Sequence, residues 1–230
     1  DIIAHYGADT ARLFIVSDSP PDRDIIWTDA SVAGASRQVQ RLSRVIDEVA
    51  ERQPRNGSAA RPPALGPEAL ALRRTAHKAL NSVSQNIEGL RYNVAVAQIY
   101  ELTHAVSAAL DTPGEGMDWA VREAGELLVQ MIGPMLPHLA EDCWARLGYN
   151  TLLADQPWPL ADATLLVDDT ITIAVQVNGK RRDELTIART ATRDEIEAAA
   201  LELEPVMRAL AGRPVKKVIV VPQRIVNVVG

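Results

Sequence analysis

A chain of 230 residues, 47% of them hydrophobic, is long enough to bury more than one core, and with only 4% aromatics that core falls to Ala, Leu and Val. A net charge of −6 argues against indiscriminate nucleic-acid binding, and the single Cys143 excludes both a disulfide framework and a multi-cysteine zinc site. No apolar run reaches the ~20 residues of a membrane span and no secretory signal opens the chain, so a soluble, cytoplasmic protein is expected. The start at Asp1, without an initiator Met, is what a piece of a longer polypeptide would show.

"DIIAHYGADTARLFIVSDSPPDRDIIW" predicts a short helix capped by Asp1 and ended by Gly7. A second helix follows, with Ala8, Ala11, Leu13, Phe14 and Val16 as its apolar members, and Ser19-Pro20-Pro21 stops it. Thr28 or Asp29 then caps a long helix to about Gln53, in which Val39, Leu42, Val45, Ile46 and Val49 recur at helical spacing. Residues 54–67, rich in Pro and Gly, read as a loop. Further helices are expected from Pro67 to about Leu90, from an Asn93 cap to Leu110, and from Trp119 to Ile132. "PHLAEDCWARLG" makes a last short helix closed by Gly148. Amphipathic helices joined by short connections predict an antiparallel bundle.

Residues 155–170 look like a linker, beyond which the apolar period changes from 3.6 to 2. Strands are expected at 171–177 and 183–188, then a helix announced by the capping-box pattern Thr192-Arg193-Asp194-Glu195. Pro205 kinks or splits that helix and Gly212 ends it. "VKKVIVV" returns as a strand before Pro222, leaving "IVNVVG" as an apolar tail. The fold class is therefore mainly α, an antiparallel helical bundle followed by a small α/β domain of ββαβ order. The expected domains are a connector (1–28), the bundle (29–154), the linker (155–170) and the small domain (171–230).

The hairpin around Asn178-Gly179 admits two registers. A two-residue loop pairs Val177 with Lys180 and sets the aliphatics of the two strands on opposite faces. A three-residue or bulged loop, of which the bulged form is favoured, pairs 177 with 181, 175 with 183 and 173 with 185, which puts all the aliphatics on one face. The second is expected, with Gly179 at positive φ and Lys180 at the tip. In that register Arg182 faces solvent and Arg181 lies beside Asp183.

The candidates for chemistry are few. The four histidines show no HExxH or His/Cys metal spacing, and His138-x-x-Glu141 reads more simply as a helix-capping or surface feature than as a ligand pair. Cys143, among Leu139, Trp144 and Leu147, reads as a core thiol with nothing nearby to lower its pKa. No nucleophile elbow or phosphate loop is present, and no catalytic residue is assigned. Basic stripes are the better signal. Arg37, Arg41 and Arg44 share one arc of a helix, and Arg74 and Lys78 repeat this at i, i+4. Residues 1–163 carry a net −7, whereas 164–230 carry a net +1 and hold Lys180, Arg182, Lys216 and Lys217. A solvated face explains such stripes, as Asp47 and Glu48 would suggest, but so does a helix that tracks a phosphate backbone.

"YGADTARLF…SPPDRDIIWTD" resembles the class Ia aminoacyl-tRNA synthetases. "SRQVQRLSRV", "TAHKALNSVSQNIEGLRYNVAVA" and "MLPHLAEDCWARLG" resemble the anticodon-binding bundle of the bacterial leucyl-tRNA synthetase family. "IAVQVNGKRRDELTIARTATRDEIEAAAL" and "RPVKKVIVVPQRIVNVVG" are similar to that family's small C-terminal domain. The resemblance covers essentially the whole chain. It implies a tRNA-docking fragment without the adenylate-forming, catalytic and editing domains, inactive by itself. The full-length enzyme would ligate leucine to its tRNA with ATP and Mg²⁺, and the fragment itself needs no cofactor. The implied partners are leucine tRNA and the catalytic and editing domains of the same polypeptide, with neither membrane nor DNA. By the same resemblance Arg37, Arg41 and Arg44 fall where tRNA phosphates are met, and Lys180 and Arg182 suit the outer corner of tRNA. Asn93 and His138 match structural positions. One departure is Arg181 with Asp183, where the family commonly reads Val-Asn-Gly-Lys-Leu-Arg-Gly; a pair between them would leave Arg181 structural. The alternative is a free-standing tRNA-binding or interaction module.

Overall fold

The computed structural model describes residues 2–52, 60–167 and 170–230, so the Asp1 cap and residues 54–59 of the loop expected over 54–67 lie outside the described residues. The chain divides into two compact units, Asp1–Leu166 and Val167–Gly230.

The first unit is helical: α1 (Ile2–Tyr6), α2 (Ala8–Asp18), α3 (Asp29–Arg52), α4 (Pro67–Glu88), α5 (Tyr92–Ala109), α6 (Met117–Ile132) and α7 (Pro137–Arg146). Gly7, at φ 84°, makes the break between α1 and α2. Thr28, not Asp29, caps α3, its Oγ1 accepting from Ser31 N at 3.1 Å. The apolar spacing of α3 is realised: Leu42, Val45, Ile46 and Val49 are buried, with Val32 and Ala35 extending the stripe. Helix α6 approaches this stripe so closely that a Cβ on Gly125 would lie 2.8 Å from Val49 Cγ1. The expected Asn93 cap is not used. Helix α5 starts at Tyr92, because the α4–α5 turn is closed from the other side: Arg91 N and Nε donate to Asn86 O at 2.7 Å and Asn86 Oδ1 at 2.8 Å. Helix α6 also starts two residues early, at Met117, after Gly116 at φ 71°.

Beyond α7 the chain stays on the bundle. Leu153 N and Ala154 N of a single 3-10 turn donate to the Glu141 carboxylate at 2.8 and 2.9 Å. Trp158 Nε1 donates to Ser84 Oγ of α4 at 2.8 Å, and Asp162 N donates to His77 Nδ1 at 3.1 Å. Asp162 Oδ1 then caps a short helix, α8 (Ala163–Leu166), which buries Leu165. Residues 156–166, which composition marks as linker, thus make specific contacts with the helices.

The second unit holds β1 (Thr170–Val177), β2 (Lys180–Ala188), α9 (Arg193–Leu201), α10 (Glu204–Leu210), β3 (Lys217–Val221) and β4 (Ile225–Val229). Thr192 and Glu195 form the reciprocal capping box that the sequence announces, and Pro205 starts α10, splitting the helix in two. The expected ββαβ order is corrected to ββααββ. The tail "IVNVVG" is a strand, because Val226 and Val228 alternate into the core at 0% exposure and β1 offers a free parallel partner. The sheet order is β2-β1-β4-β3, so the tail occupies an interior position. Ile173, Val175, Val177, Leu185, Val218, Val226 and Val228 pack against Ile196, Ala200, Val206 and Leu210 of the two helices.

Candidate nucleic-acid interface

On α3, Arg37 and Arg44 are exposed and Arg41 is half-buried, all on the side away from the Leu42/Val45/Ile46/Val49 core. Seven residues of helix separate the outer two, about 10 Å along the axis. With Gln38 and Gln40 they line an open depression of about 390 Å³. Of the two acids near this stripe, Asp47 is turned to α7, where Arg146 donates to it and also to Ser43 Oγ at 3.1 Å, while Glu48 is exposed. Asp47 therefore does less to quench the stripe than its spacing implies. Arg74 and Lys78 of α4 differ: both are half-buried and already engaged by neighbouring groups.

The hairpin register combines the two that the sequence allows. Asn178 (φ 50°) and Gly179 (φ 79°) form a two-residue turn with both φ positive, so Val177 pairs with Lys180 and Gln176 with Arg181. That alone would turn the aliphatics of β2 away from the core. Arg182 is instead the extra residue of a β-bulge, after which Val175 pairs with Asp183 and Ile173 with Leu185, as expected. The expected pairing of 177 with 181 is thus corrected at the tip, because Asn-Gly favours the tight turn and burial sets the register beyond it. Arg181 does not pair with Asp183. Opposite Gln176 it lies on the outward face, where it bonds Glu184. Lys180 and Arg182 are exposed.

Topology gathers cations that are distant in sequence. Strands β1 and β4 run parallel, so Lys180 opens β2 and Lys217 opens β3 at the same end of the sheet, three strand spacings or roughly 14 Å apart. Lys216, exposed beside Lys217, is held there by its N–H on Val229 O at 2.8 Å. Lys180, Arg182, Lys216 and Lys217 therefore lie at one end of the sheet, on its two outer strands.

A buried charge network has no counterpart in the sequence reading. Arg73, only 4% exposed, donates from Nε and Nη2 to Glu123 at 2.6 and 3.0 Å, and its guanidinium lies 5.1 Å from the Trp119 ring centre. His77 Nδ1 accepts from Asp162 N, so in the neutral ring Nε2–H faces Glu123 Oε1, 3.4 Å away. Burial pushes the Glu123 carboxyl up, but the hydrogen bonds from His77 and Arg73, with the Arg73 charge, outweigh it and hold the pKa below the usual value. The signal was present: Arg73 and His77 fall in phase with Leu72, Ala76 and Leu80, and an arginine on an apolar face requires a counter-charge.

The remaining candidates are structural. His138 Nδ1 and Leu139 N meet the Asp9 carboxylate at 2.8 and 2.7 Å, tying α7 to α2, while Glu141 holds the 3-10 turn. Cys143 is buried, which drives its thiol up to about 12 against the opposing effect of Arg146. The expectation of no pKa-lowering neighbour is corrected, since Arg146 Nη2 is 3.2 Å from Sγ; burial nevertheless wins. Among the described residues, no group of three or more His, Cys, Asp or Glu is placed to hold a metal, and no helix is long and apolar enough to cross a membrane.

Comparison with known proteins gives a consistent picture. The family model described as the anticodon-binding domain of tRNA ligase matches residues 70–198. The leucine–tRNA ligase of Rhodopseudomonas palustris (strain BisB5) is 54% identical over 237 residues, which cover 100% of this chain and 27% of that protein. The leucine–tRNA ligase of Parvibaculum lavamentivorans is 55% identical over 229 residues, covering 100% of this chain and 26% of its own length. The chain thus spans about a quarter of the length of these relatives. Among solved structures, the ternary complex of Agrobacterium radiobacter K84 agnB2 LeuRS with tRNA and LeuAMS matches 99% of this chain and 29% of that one, with TM-score 0.81 and 26% identity. More than half of the chain lies within the matched model, and the chain belongs to the family of tRNA-ligase anticodon-binding domains.

Proposed function

We propose that the chain is the tRNA-docking, C-terminal part of a leucine–tRNA ligase whose full-length form joins leucine to its tRNA with ATP and Mg²⁺ in the cytoplasm. The observation that carries this reading is the placing of Lys180, Arg182, Lys216 and Lys217 at one end of a small sheet, in a chain of net negative charge. Such local clustering is the electrostatic footprint of phosphate binding. Arg37, Arg41 and Arg44 give the bundle a second stripe, and Arg74 and Lys78 a third whose half-buried side chains leave less reach. In this plan residues 1–28 connect to the catalytic domain, 29–154 are the anticodon-binding bundle, 155–170 lead out of it, and 171–230 form the docking domain. In this plan ATP and Mg²⁺ belong to the catalytic domain of the same polypeptide, as editing belongs to another. End-to-end similarity to the ligases favours this reading over a free-standing module.

The test has two arms. The 230-residue chain is expected to bind leucine tRNA with an affinity that falls linearly in log K against log salt. The same preparation is expected to show no leucine-dependent ATP–pyrophosphate exchange. Absence of tRNA binding at low salt overturns the docking role, and measurable exchange overturns the assignment of chemistry to other domains.

A further inference from the structure

The tip of the basic hairpin is fastened from outside the hairpin. A two-residue turn closes through its flanking pair, here Val177 and Lys180, and leaves the N–H groups of its two central residues to find other acceptors. Asn178 N donates to Val228 O at 2.9 Å, and Gly179 N donates to Asn227 Oδ1 at 3.0 Å. In return Asn178 Oδ1 accepts from Gly230 N at 3.2 Å. The two asparagines thus exchange carbonyls for backbone N–H groups between the turn and the last strand. Asn178 and Gly179 are themselves exposed, and these bonds fasten the turn to the end of the neighbouring strand. Lys180 follows the turn directly, and Arg182 sits in the bulge two residues on.

We propose that Asn227 is a positioning residue for the tRNA contact: its side-chain carbonyl fixes Gly179 and so holds Lys180 and Arg182 in the arrangement that meets phosphate. The inference rests on the docking role proposed above. Its physical basis is preorganisation. Cations ordered before binding do not have to be ordered by it, so affinity is gained without an added charge. Loss of the clasp therefore weakens binding while leaving the number of released counterions as it was.

The test uses the 230-residue chain with Asn227→Ala, the double variant Lys180→Ala/Arg182→Ala, and leucine tRNA as the probe. Amide exchange followed by NMR is expected to show Gly179 protected in the parent and exchanging about tenfold faster in Asn227→Ala, with the Ile173 and Val175 amides of the core unchanged. Asn227→Asp keeps an acceptor at the same place and is expected to restore Gly179 protection. Binding by Asn227→Ala is expected to weaken about three- to tenfold, the equivalent of one hydrogen bond, with the salt slope unchanged. The double variant is expected to lose slope as well as affinity. An unprotected Gly179 in the parent removes the clasp. Loss of protection with full affinity removes the positioning role and leaves tRNA docking intact. A double variant that binds like the parent takes the hairpin out of the interface, and the proposal with it.

Discussion

Replacing Glu123 by Gln leaves the Arg73 guanidinium, 4% exposed, without its counter-charge. The amide keeps the shape and one acceptor, but neither the charge nor the two-oxygen geometry that receives Nε and Nη2 at 2.6 and 3.0 Å. Breaking a buried pair on one side costs about 3–5 kcal/mol, and the 20% exposure of the Glu123 side chain puts the expected loss near the lower end, about 3 kcal/mol. In a unit of this size each kcal/mol moves Tm by about 2–4 °C, so a fall of about 6–12 °C is expected. All four tryptophans, Trp27, Trp119, Trp144 and Trp158, lie in the first unit, so their fluorescence reports its melting without interference from the second. The pH dependence supplies a second arm. Because the folded carboxyl sits below its ordinary value, its contribution is complete above that value and is lost as pH falls through the folded pKa. Parent and variant are thus expected to differ fully at pH 7 and to converge in acid. A shift of less than about 2 °C at pH 7, or a gap that persists in acid, refutes the network as a stabilising pair.

Other consequences are simpler. Cys143, buried and with its thiol raised to about 12, is expected to resist a thiol reagent at pH 8 and to react at the unfolding rate; rapid labelling of the native chain contradicts its burial. Residues 156–166 are expected to survive brief digestion by a non-specific protease, because Trp158 and Asp162 are bonded to Ser84 and His77. His77→Ala is expected to speed cleavage there several-fold, and equally rapid cutting of the parent contradicts the packing.

Features governed by local period were legible in the sequence. The apolar stripe of α3, the capping box at Thr192 and the split at Pro205 each depend on residues within a turn or two of one another. What the sequence hid depends on distant partners. "IVNVVG" alternates as a strand does, but its neighbour is β1, reached only after two helices close the sheet. The hairpin pitted two local rules against each other, a tight Asn-Gly turn against a single apolar face, and the bulge at Arg182 satisfies both. In the candidate site, Arg37, Arg41 and Arg44 were legible from helical phase. The placing of Lys180 at the same end of the sheet as Lys216 and Lys217 was not, since it follows from strand order and direction alone. Arg74 and Lys78 stand one residue out of phase with the buried Arg73 and His77 and nearer solvent, so the sequence shows them more readily as a stripe.

The central claim, that the cations at this end of the sheet meet tRNA phosphates, is tested most directly by the salt dependence of leucine tRNA binding in Lys180→Ala/Arg182→Ala beside Arg181→Ala. The double variant is expected to bind more weakly, with a slope of log K against log salt shallower by about one to two units. Its melting is expected to stay within roughly 0.5 kcal/mol of the parent, as both side chains are exposed. Arg181, already bonded to Glu184 on the surface, is expected to change stability by no more than about 1 kcal/mol and the slope hardly at all. A double variant with the parent's slope and affinity would contradict the account.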